Sequence, residues 1–164
     1  MDYIESNPYN GKQSMAVVHP SAKQQSSFKP SVLYVEDNAI NSKVVMFGLR
    51  GAYDVSVAVD AQEACELMRT SDGRFVAILM DIELQGSDLD GIELTRLFRG
   101  KLDTDGLPEY AVGLPVTHVP IIIVTAYLER YPEDYLSDAG ASACLGKPVD
   151  LSGLRLLLAD LRGS

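Results

Sequence analysis

The chain has 164 residues, a length that suits one domain with a hydrophobic core plus a short extension. Its 23 acidic and 14 basic residues give a formal net charge of −9, which argues against direct nucleic-acid binding because that activity needs a clustered positive surface. No apolar stretch approaches the ~18 residues that a membrane span requires, and the first residues resemble no secretory signal. We therefore expect a cytoplasmic protein without membrane insertion.

The N-terminal part of the chain differs in composition from the rest. Residues 1–30 are rich in Ser, Gln, Asn, Lys and Pro, with a brief apolar interruption at 16–18. Such a segment buries too little apolar surface to offset the entropy lost on ordering. We predict a flexible N-terminal arm over 1–30 and a folded domain over 31–163.

Apolar runs alternate with helical patterns through the predicted domain. The predicted strands are VLYV from Val32, DVSVAV from Asp54, FVAILMD from Phe75, VPIIIVTA from Val119 and ACLGKP from Ala143. The predicted helices cover residues 39–49, 61–69, 90–99, 133–138 and 151–161. This alternation predicts an α/β fold of five βα units with right-handed crossovers, whose parallel sheet is covered by helices on both faces.

One predicted connection is unusually long. Residues 101–118, KLDTDGLPEYAVGLPVTH, lead from the third helix into the fourth strand. Connections of this kind are mostly ~2–6 residues long, so the segment is interpreted as an insertion. Because it runs from a helix C-terminus to the start of a strand, topology places it at the amino edge of the sheet. We expect a tolerated insertion, with a partner-specific contact as the alternative.

Polar residues follow four of the five predicted strands, at the carboxyl edge of the sheet. They are Glu36 and Asp37, Asp81, Thr125 and Lys147. Open α/β folds bind ligands at this edge. Neighbouring carboxylates repel one another unless a cation lies among them, and their hard oxygens suit magnesium or manganese. Lys147 and Thr125 suit phosphoryl oxygens, and the isolated carboxylate of Asp81 is a candidate nucleophile.

The sequence around these residues resembles the receiver domains of two-component response regulators. VLYVEDNAINSKVV resembles the family's first strand, acidic pair and first helix, and ILMDIELQGSDLDGIELTRLFR resembles its phosphoacceptor strand and the helix after it. PIIIVTA resembles the strand that ends in Thr-Ala, and KPVDLSGLRLLL resembles the Lys-Pro step into the last helix. The resemblance covers roughly 31–163, which would make this segment the receiver domain.

The resemblance implies a flavodoxin-like (βα)5 three-layer sandwich with strand order 2-1-3-4-5. It implies that Asp81 accepts a phosphoryl group from a sensor histidine kinase or a histidine phosphotransfer protein, and that Thr125 and Lys147 then engage that group. The Lys147-Pro148 peptide bond is often cis in this family. Output would pass through contacts with an unknown downstream protein, with no turnover of an external substrate.

The same resemblance implies a metal site and a pairing surface. The implied ligands of magnesium are Glu36, Asp37, Asp81 and the backbone carbonyl of Glu83. Receivers commonly pair through the fourth and fifth βα units, so a homodimer through that surface is a further expectation.

Two features depart from the family pattern. The loop LQGSDLDG after the phosphoacceptor strand lacks the usual Pro and is about two residues longer. Cys144 lies three residues before Lys147, where Tyr or Phe is typical of members whose ring moves inward with Thr. We therefore expect a phosphorylation signal to travel by backbone shifts.

Two other classes of function share some of these residues. A haloacid-dehalogenase-like phosphatase also uses Asp, Thr or Ser, and Lys, and Glu83 lies two residues after Asp81, where that family has an acid. That family places its nucleophile on the first strand, whereas here Glu36 and Asp37 precede it. A pseudo-receiver would be an interaction module with a vestigial site, and the retention of all charged groups argues against it.

Overall fold

The computed structural model describes residues 28–163, whose centre is a parallel sheet of five strands. The strands are β1 (Ser31–Val35), β2 (Asp54–Ala58), β3 (Phe75–Asp81), β4 (Ile121–Thr125) and β5 (Ala143–Gly146). The helices are α1 (Ala39–Leu49), α2 (Ala61–Thr70), α3 (Gly91–Phe98), α4 (Glu133–Ala139) and α5 (Leu151–Gly163). The strand order is β2-β1-β3-β4-β5 with all pairs parallel. The predicted flavodoxin-like fold class is therefore confirmed.

The apolar runs of the central strands form the core on both sides of the sheet. Helices α1 and α5 cover one face, where Val45, Leu49, Leu154 and Leu158 pack on β1, β3 and β4. Helices α2, α3 and α4 cover the other face. A fully buried Leu or Ile side chain contributes roughly 1.5–3 kcal/mol, so the central strands hold the carboxyl edge on a rigid base.

Helix starts follow the polar residues that the sequence places before them. The Asn38 side chain caps α1 by accepting hydrogen bonds from the backbone N–H groups of Ile40 and Asn41. Asp90 and Glu93 form a complete capping box at α3. These caps fix the first turns of α1 and α3 beside the strand ends, where the candidate site lies.

Two predictions concern the ends of the fold. Residues 1–27 of the predicted arm lie outside the described residues, and 28–30 have no regular secondary structure. Strand β5 ends at Gly146, earlier than the predicted ACLGKP. The Lys147-Pro148 peptide bond is cis, as the family resemblance implies.

The insertion at residues 101–118 does not stay at the amino edge. Its ends do lie there, since the Thr117 N–H donates to the Phe98 carbonyl at 2.9 Å. Its middle, which contains a short 3-10 helix at Glu109–Ala111, packs against α2. Leu107 borders a cleft with Asp88, in the loop after β3. The prediction was wrong for the middle of this segment.

The reason for this placement is burial of apolar side chains. The insertion packs an apolar set against the core beside α2 and α3: Leu102, Leu107, Tyr110, Ala111 and Leu114. Chain connectivity fixes only where such a segment begins and ends, whereas the hydrophobic effect determines which surface it covers.

Candidate functional site

The carboxyl edge of the sheet forms an open cavity of about 380 Å³ that gathers most of the predicted site residues. Glu36 and Asp37 follow β1, Asp81 ends β3, and Lys147 follows β5. All four line the cavity, together with Glu83 in the loop after β3. The convergence predicted from the strand ends is thus observed for these residues.

Three carboxylates form the acidic part of the cavity. Glu36, Asp37 and Asp81 each place a carboxylate oxygen within 4.8 Å of the others. Asp81 is 4% exposed, and Glu36 is fully buried. This spacing and the hard oxygen donors fit a divalent metal such as magnesium.

Lys147 lies between two of these carboxylates. Its Nζ is 2.7 Å from Asp81 Oδ2 and 2.7 Å from Glu36 Oε2. The lysine side chain is 15% exposed, so these ion pairs are shielded from water. The ammonium therefore supplies a positive charge directly at the Asp81 carboxylate.

Glu36 accepts further hydrogen bonds from residues outside the predicted set. The Tyr34 hydroxyl donates to Glu36 Oε2 at 2.6 Å. Asn41 Nδ2 donates to Oε1 at 3.0 Å, and the Asn38 backbone N–H donates to the same oxygen at 3.3 Å. The Glu36 carboxylate is consequently fixed in orientation.

Burial and charge shift the pKa values of the site in opposite directions. Burial raises the pKa of Asp81, and the Glu36 carboxylate adds to this, although hydrogen bonds from Lys147 and Glu83 act against it. Burial also acts to raise the pKa of Glu36, but hydrogen bonds from Lys147, Tyr34 and Asn41 outweigh it and leave that pKa lowered. For Lys147, burial acts to lower the pKa, but the contacts with Asp81 and Glu36 leave it raised. The lysine is therefore a permanent cation at neutral pH.

The loop after β3 closes one side of the cavity. The Glu83 backbone N–H donates to Asp81 Oδ1 at 3.3 Å, and the Gln85 backbone N–H donates to Asp37 Oδ2 at 3.2 Å. Gly91 begins α3 so close to β3 that a Cβ there would lie 1.9 Å from the Asp81 carbonyl oxygen. Only glycine permits this approach of α3 to the end of β3.

Thr125 ends β4 as predicted but does not line the cavity. It is fully buried, and its Oγ1 accepts a hydrogen bond from the Tyr127 N–H at 3.1 Å. The Lys147 N–H donates to the Thr125 carbonyl at 2.8 Å, so the two strand ends are joined through the backbone. Thr125 is thus adjacent to the site, with its hydroxyl engaged in its own loop.

Cys144 lies on the opposite side of β5 from the α1 and α5 layer. It is partly buried against the α2, α3 and α4 layer and lines a separate cavity of about 110 Å³ with Leu136 of α4. Cys144, which occupies the position where an aromatic residue is typical of the family, therefore borders this cavity next to α4.

Four residues that shape the site were not predicted from the sequence: Tyr34, Asn41, Gln85 and Gly91. Tyr34 could have been found, because it lies two residues before Glu36 and side chains two apart on a strand share a face. Asn41 lies in the first turn of α1, which begins at the acidic pair. The contact of Gln85 with Asp37 depends on loop conformation, which the sequence does not specify.

Comparisons with known proteins agree with the observed fold. The family model of the response regulator receiver domain matches residues 32–159. The chain therefore belongs to the family of response regulator receiver domains.

Individual relatives come from several kinds of signalling protein. The chain is 34% identical over 131 residues to the hybrid signal transduction histidine kinase M of Dictyostelium discoideum, an alignment that covers 79% of this chain and 5% of the kinase. The chain thus spans a small part of that relative's length. It is 30% identical over 122 residues to the polar-differentiation response regulator DivK of Brucella anthropi, covering 74% of this chain and 86% of DivK.

A solved structure extends the comparison to the metal site. The receiver domain of a Pseudomonas aeruginosa sensor histidine kinase superposes with a TM-score of 0.64 at 31% sequence identity, covering 83% of this chain and 99% of that domain. That domain has a magnesium ion coordinated in its active site cleft.

Between residues 28 and 163, no helix of our protein has the length and apolar character needed to cross a bilayer.

Proposed function

We propose that this protein accepts a phosphoryl group on Asp81 from a phosphohistidine of a sensor histidine kinase or a histidine phosphotransfer protein. An Asp81 carboxylate oxygen would form a bond to phosphorus, while the bond between phosphorus and the imidazole nitrogen breaks and leaves its electron pair on that nitrogen. The observation that carries the proposal is the contact of Lys147 Nζ with Asp81 at 2.7 Å inside an acid-lined cavity at the carboxyl edge. A nucleophilic carboxylate and a fixed cation are what charge stabilisation in phosphoryl transfer requires.

The acidic cluster supports a magnesium ion as the cofactor, with manganese as a substitute. Asp37, Asp81 and the Glu83 backbone carbonyl would hold it directly, and Glu36 would contribute its negative charge to the same cluster. When bound, the metal supplies positive charge that offsets the charge of the phosphoryl oxygens. Magnesium suits the site because it is commonly bound through one or two carboxylates and retains several waters.

Lys147 and Thr125 have distinct proposed roles towards the phosphoryl group. Lys147 moves its ammonium from the Asp81 carboxylate to a phosphoryl oxygen, which needs only a small shift of a flexible side chain. The Thr125 Oγ1 accepts a hydrogen bond from Tyr127, which leaves its hydroxyl proton free to be donated to another phosphoryl oxygen. Movement of Thr125 towards the site would alter the loop after β4 and so carry a signal to α4.

The phosphodonor would approach across the first helix. Ile40, Val44 and Phe47 form an exposed apolar stripe at helical spacing on α1, which begins at the cavity. Val44 also lines an apolar pocket that is shared with Asn41 and Lys147. A donor must present its phosphohistidine above Asp81, so a helical apolar surface around that histidine would contact this stripe.

The location, output and assembly of the protein would follow from its role as a phosphoacceptor. The protein would act in the cytoplasm, where histidine kinases present their phosphohistidine. It would signal through contacts with a downstream protein and turn over no external substrate. We also expect two copies of the protein to pair through the fourth and fifth βα units. We expect neither direct nucleic-acid contact nor membrane insertion.

Intact-protein mass after treatment with acetyl phosphate and magnesium tests the proposal. We expect one added phosphoryl group on the wild type and none on Asp81→Asn. Equal labelling of both would place the acceptor elsewhere, and no labelling of the wild type would favour a pseudo-receiver. Sustained hydrolysis of a generic phosphate ester, lost in Asp81→Asn, would instead support a phosphatase.

A further inference from the structure

The Tyr34 hydroxyl is a buried polar group that the packing of β1 does not require. Tyr34 is 1% exposed, and its ring packs in the core beneath α1 and α5. Neighbouring core positions on that strand and on β3, such as Val32 and Leu79, are purely apolar. A buried hydroxyl is costly unless it is hydrogen-bonded, and this one donates to Glu36 Oε2 at 2.6 Å.

Glu36 has no free acceptor position left in this arrangement. Oε2 accepts from Tyr34 and Lys147, and Oε1 accepts from Asn41 Nδ2 and the Asn38 backbone N–H. A carboxylate offers about four lone-pair positions, so these donors use all of them. Glu36 therefore acts in this arrangement as the acceptor of four donors, one of which is the Lys147 ammonium.

We propose that Tyr34 is a positioning residue, whose hydroxyl fixes Glu36 as a second anchor for the Lys147 ammonium. This inference rests on the proposed function of Asp81. Lys147 contacts both anchors at 2.7 Å, so it can release the Asp81 oxygen that is to be phosphorylated while the Glu36 contact keeps it in the site. Asn41 assists by holding the other oxygen of Glu36.

Removal of the hydroxyl should therefore act on the lysine and not on the metal. In Tyr34→Phe, Glu36 loses the donor that fixes Oε2, and Lys147 is then anchored mainly by Asp81. The Tyr34 hydroxyl contacts neither Asp37 nor Asp81, so the affinity for magnesium should change less than about twofold. Transfer to Asp81 should slow about fivefold at saturating magnesium, because a charge-assisted hydrogen bond is lost beside the reacting group.

Three measurements on the full chain test this inference. They are the rate of phosphorylation by acetyl phosphate, the dissociation constant of magnesium by calorimetry, and the hydrogen exchange rate of the Lys147 Nζ protons by NMR in the metal-free protein. We expect slower phosphorylation, unchanged magnesium affinity and exchange at least about threefold faster in Tyr34→Phe, since ion pairing protects these protons. In a Lys147→Met background the effect of Tyr34→Phe on phosphorylation should fall below about twofold.

Matched variants separate positioning from general destabilisation. Tyr53→Phe removes the hydroxyl of another buried tyrosine in the same core layer, away from Glu36, and should leave all three measurements unchanged. Asn41→Ala removes the donor to the other oxygen and should act in the same direction as Tyr34→Phe. It also replaces a partly exposed residue, which keeps the inference testable if Tyr34→Phe fails to fold.

Three results would overturn the inference: an equal effect of Tyr34→Phe with and without Lys147, a parallel loss of magnesium affinity, or no change in Lys147 exchange. Failure of the proposed function gives a different result, because the wild type would then take no phosphoryl group at all. The exchange rate of the Lys147 protons would still report whether Tyr34 positions the lysine.

Discussion

The carboxyl-edge site and the inserted segment at residues 101–118 are held in place by different forces. At the site, Asp81, Glu36 and Lys147 are joined by ion pairs of 2.7 Å in a buried setting. In the insertion, Ala111 is buried at 1% exposure among apolar side chains, while its neighbour Val112 is 58% exposed. Stability should thus depend on charge in the first region and on apolar burial in the second.

A side chain of α2 also holds the insertion in place, through hydrogen bonds to backbone carbonyl groups of the insertion. Arg69 Nη2 donates to the carbonyl oxygens of Tyr110 and Val112 at 2.9 and 3.2 Å. Burial and the nearby Asp88 carboxylate raise the pKa of the Tyr110 phenol to about 12, so this side chain is neutral at neutral pH. A segment of this length can therefore become part of the domain without contributing a charged group to the site.

Loss of the lysine should produce the largest change in stability. Lys147→Met leaves Glu36 and Asp81 buried without a cation, and breaking such a pair costs about 3 kcal/mol of unfolding free energy. Urea unfolding of the metal-free protein measures this loss. Lys101→Met, which removes an exposed lysine bound to the Asp138 carbonyl, should cost at most about 0.5 kcal/mol. Similar losses for both variants would contradict a site governed by charge.

A charge placed in the insertion should produce the next largest effect. Ala111→Asp buries an unpaired carboxylate against α2 and should cost about 2 kcal/mol in urea unfolding. Val112→Asp places the same charge one residue further on, where it is exposed, and should cost at most about 0.5 kcal/mol. If the two substitutions had equal effects, the insertion would not be part of the core.

Neutralising the phosphoacceptor should stabilise the metal-free protein. The folded-state pKa of Asp81 is raised, so its ionised form disfavours the folded state at neutral pH, and Asp81→Asn should gain about 1 kcal/mol. As pH falls through that raised pKa towards the ordinary value of ~3.9, Asp81 becomes neutral and the gain should disappear.

The pH dependence should be measured as the difference between the two proteins. The pKa of Glu36 is lowered, so its contribution to stability is present above its unfolded pKa and is lost as pH falls through its folded pKa, in both proteins. Subtraction removes the part of this contribution that the two proteins share, and the direction of the remaining difference reports on Asp81. A stability difference that grew on acidification would contradict the raised pKa of Asp81.

The smallest expected effect concerns the tie between α2 and the insertion. Arg69→Met removes two hydrogen bonds to backbone carbonyls at an exposed position and should cost about 0.5 kcal/mol. Lys43→Met, at an exposed position on α1, should be neutral within about 0.3 kcal/mol and serves as the control. A loss above about 2 kcal/mol would show that the arginine, more than apolar burial, holds the insertion.

Much of the fold could be predicted because its signals are local. An apolar run such as FVAILMD specifies a buried strand, and residues such as Asn38 and Asp90 specify helix starts. The alternation of these elements specifies a parallel sheet, and the sheet then brings Glu36, Asp81 and Lys147 to one edge.

The parts that could not be predicted depend on contacts between distant segments. The path of the insertion depends on which apolar surface of α2 and α3 remains uncovered after the core has formed. The orientation of the Thr125 hydroxyl towards the Tyr127 N–H depends on the loop conformation after β4. Neither surface nor loop conformation is encoded in a short stretch of sequence.

The sequence by itself determined the βα alternation, the family and the residues at the strand ends, because periodicity, caps and strand-end polarity are properties of short segments. Only the tertiary structure decided how those residues are connected. It decided that Tyr34 and Asn41 saturate Glu36, that Lys147 joins Glu36 to Asp81, and that the insertion reaches the loop after β3. These arrangements follow from three-dimensional packing, where burial makes every hydrogen bond and ion pair depend on its surroundings.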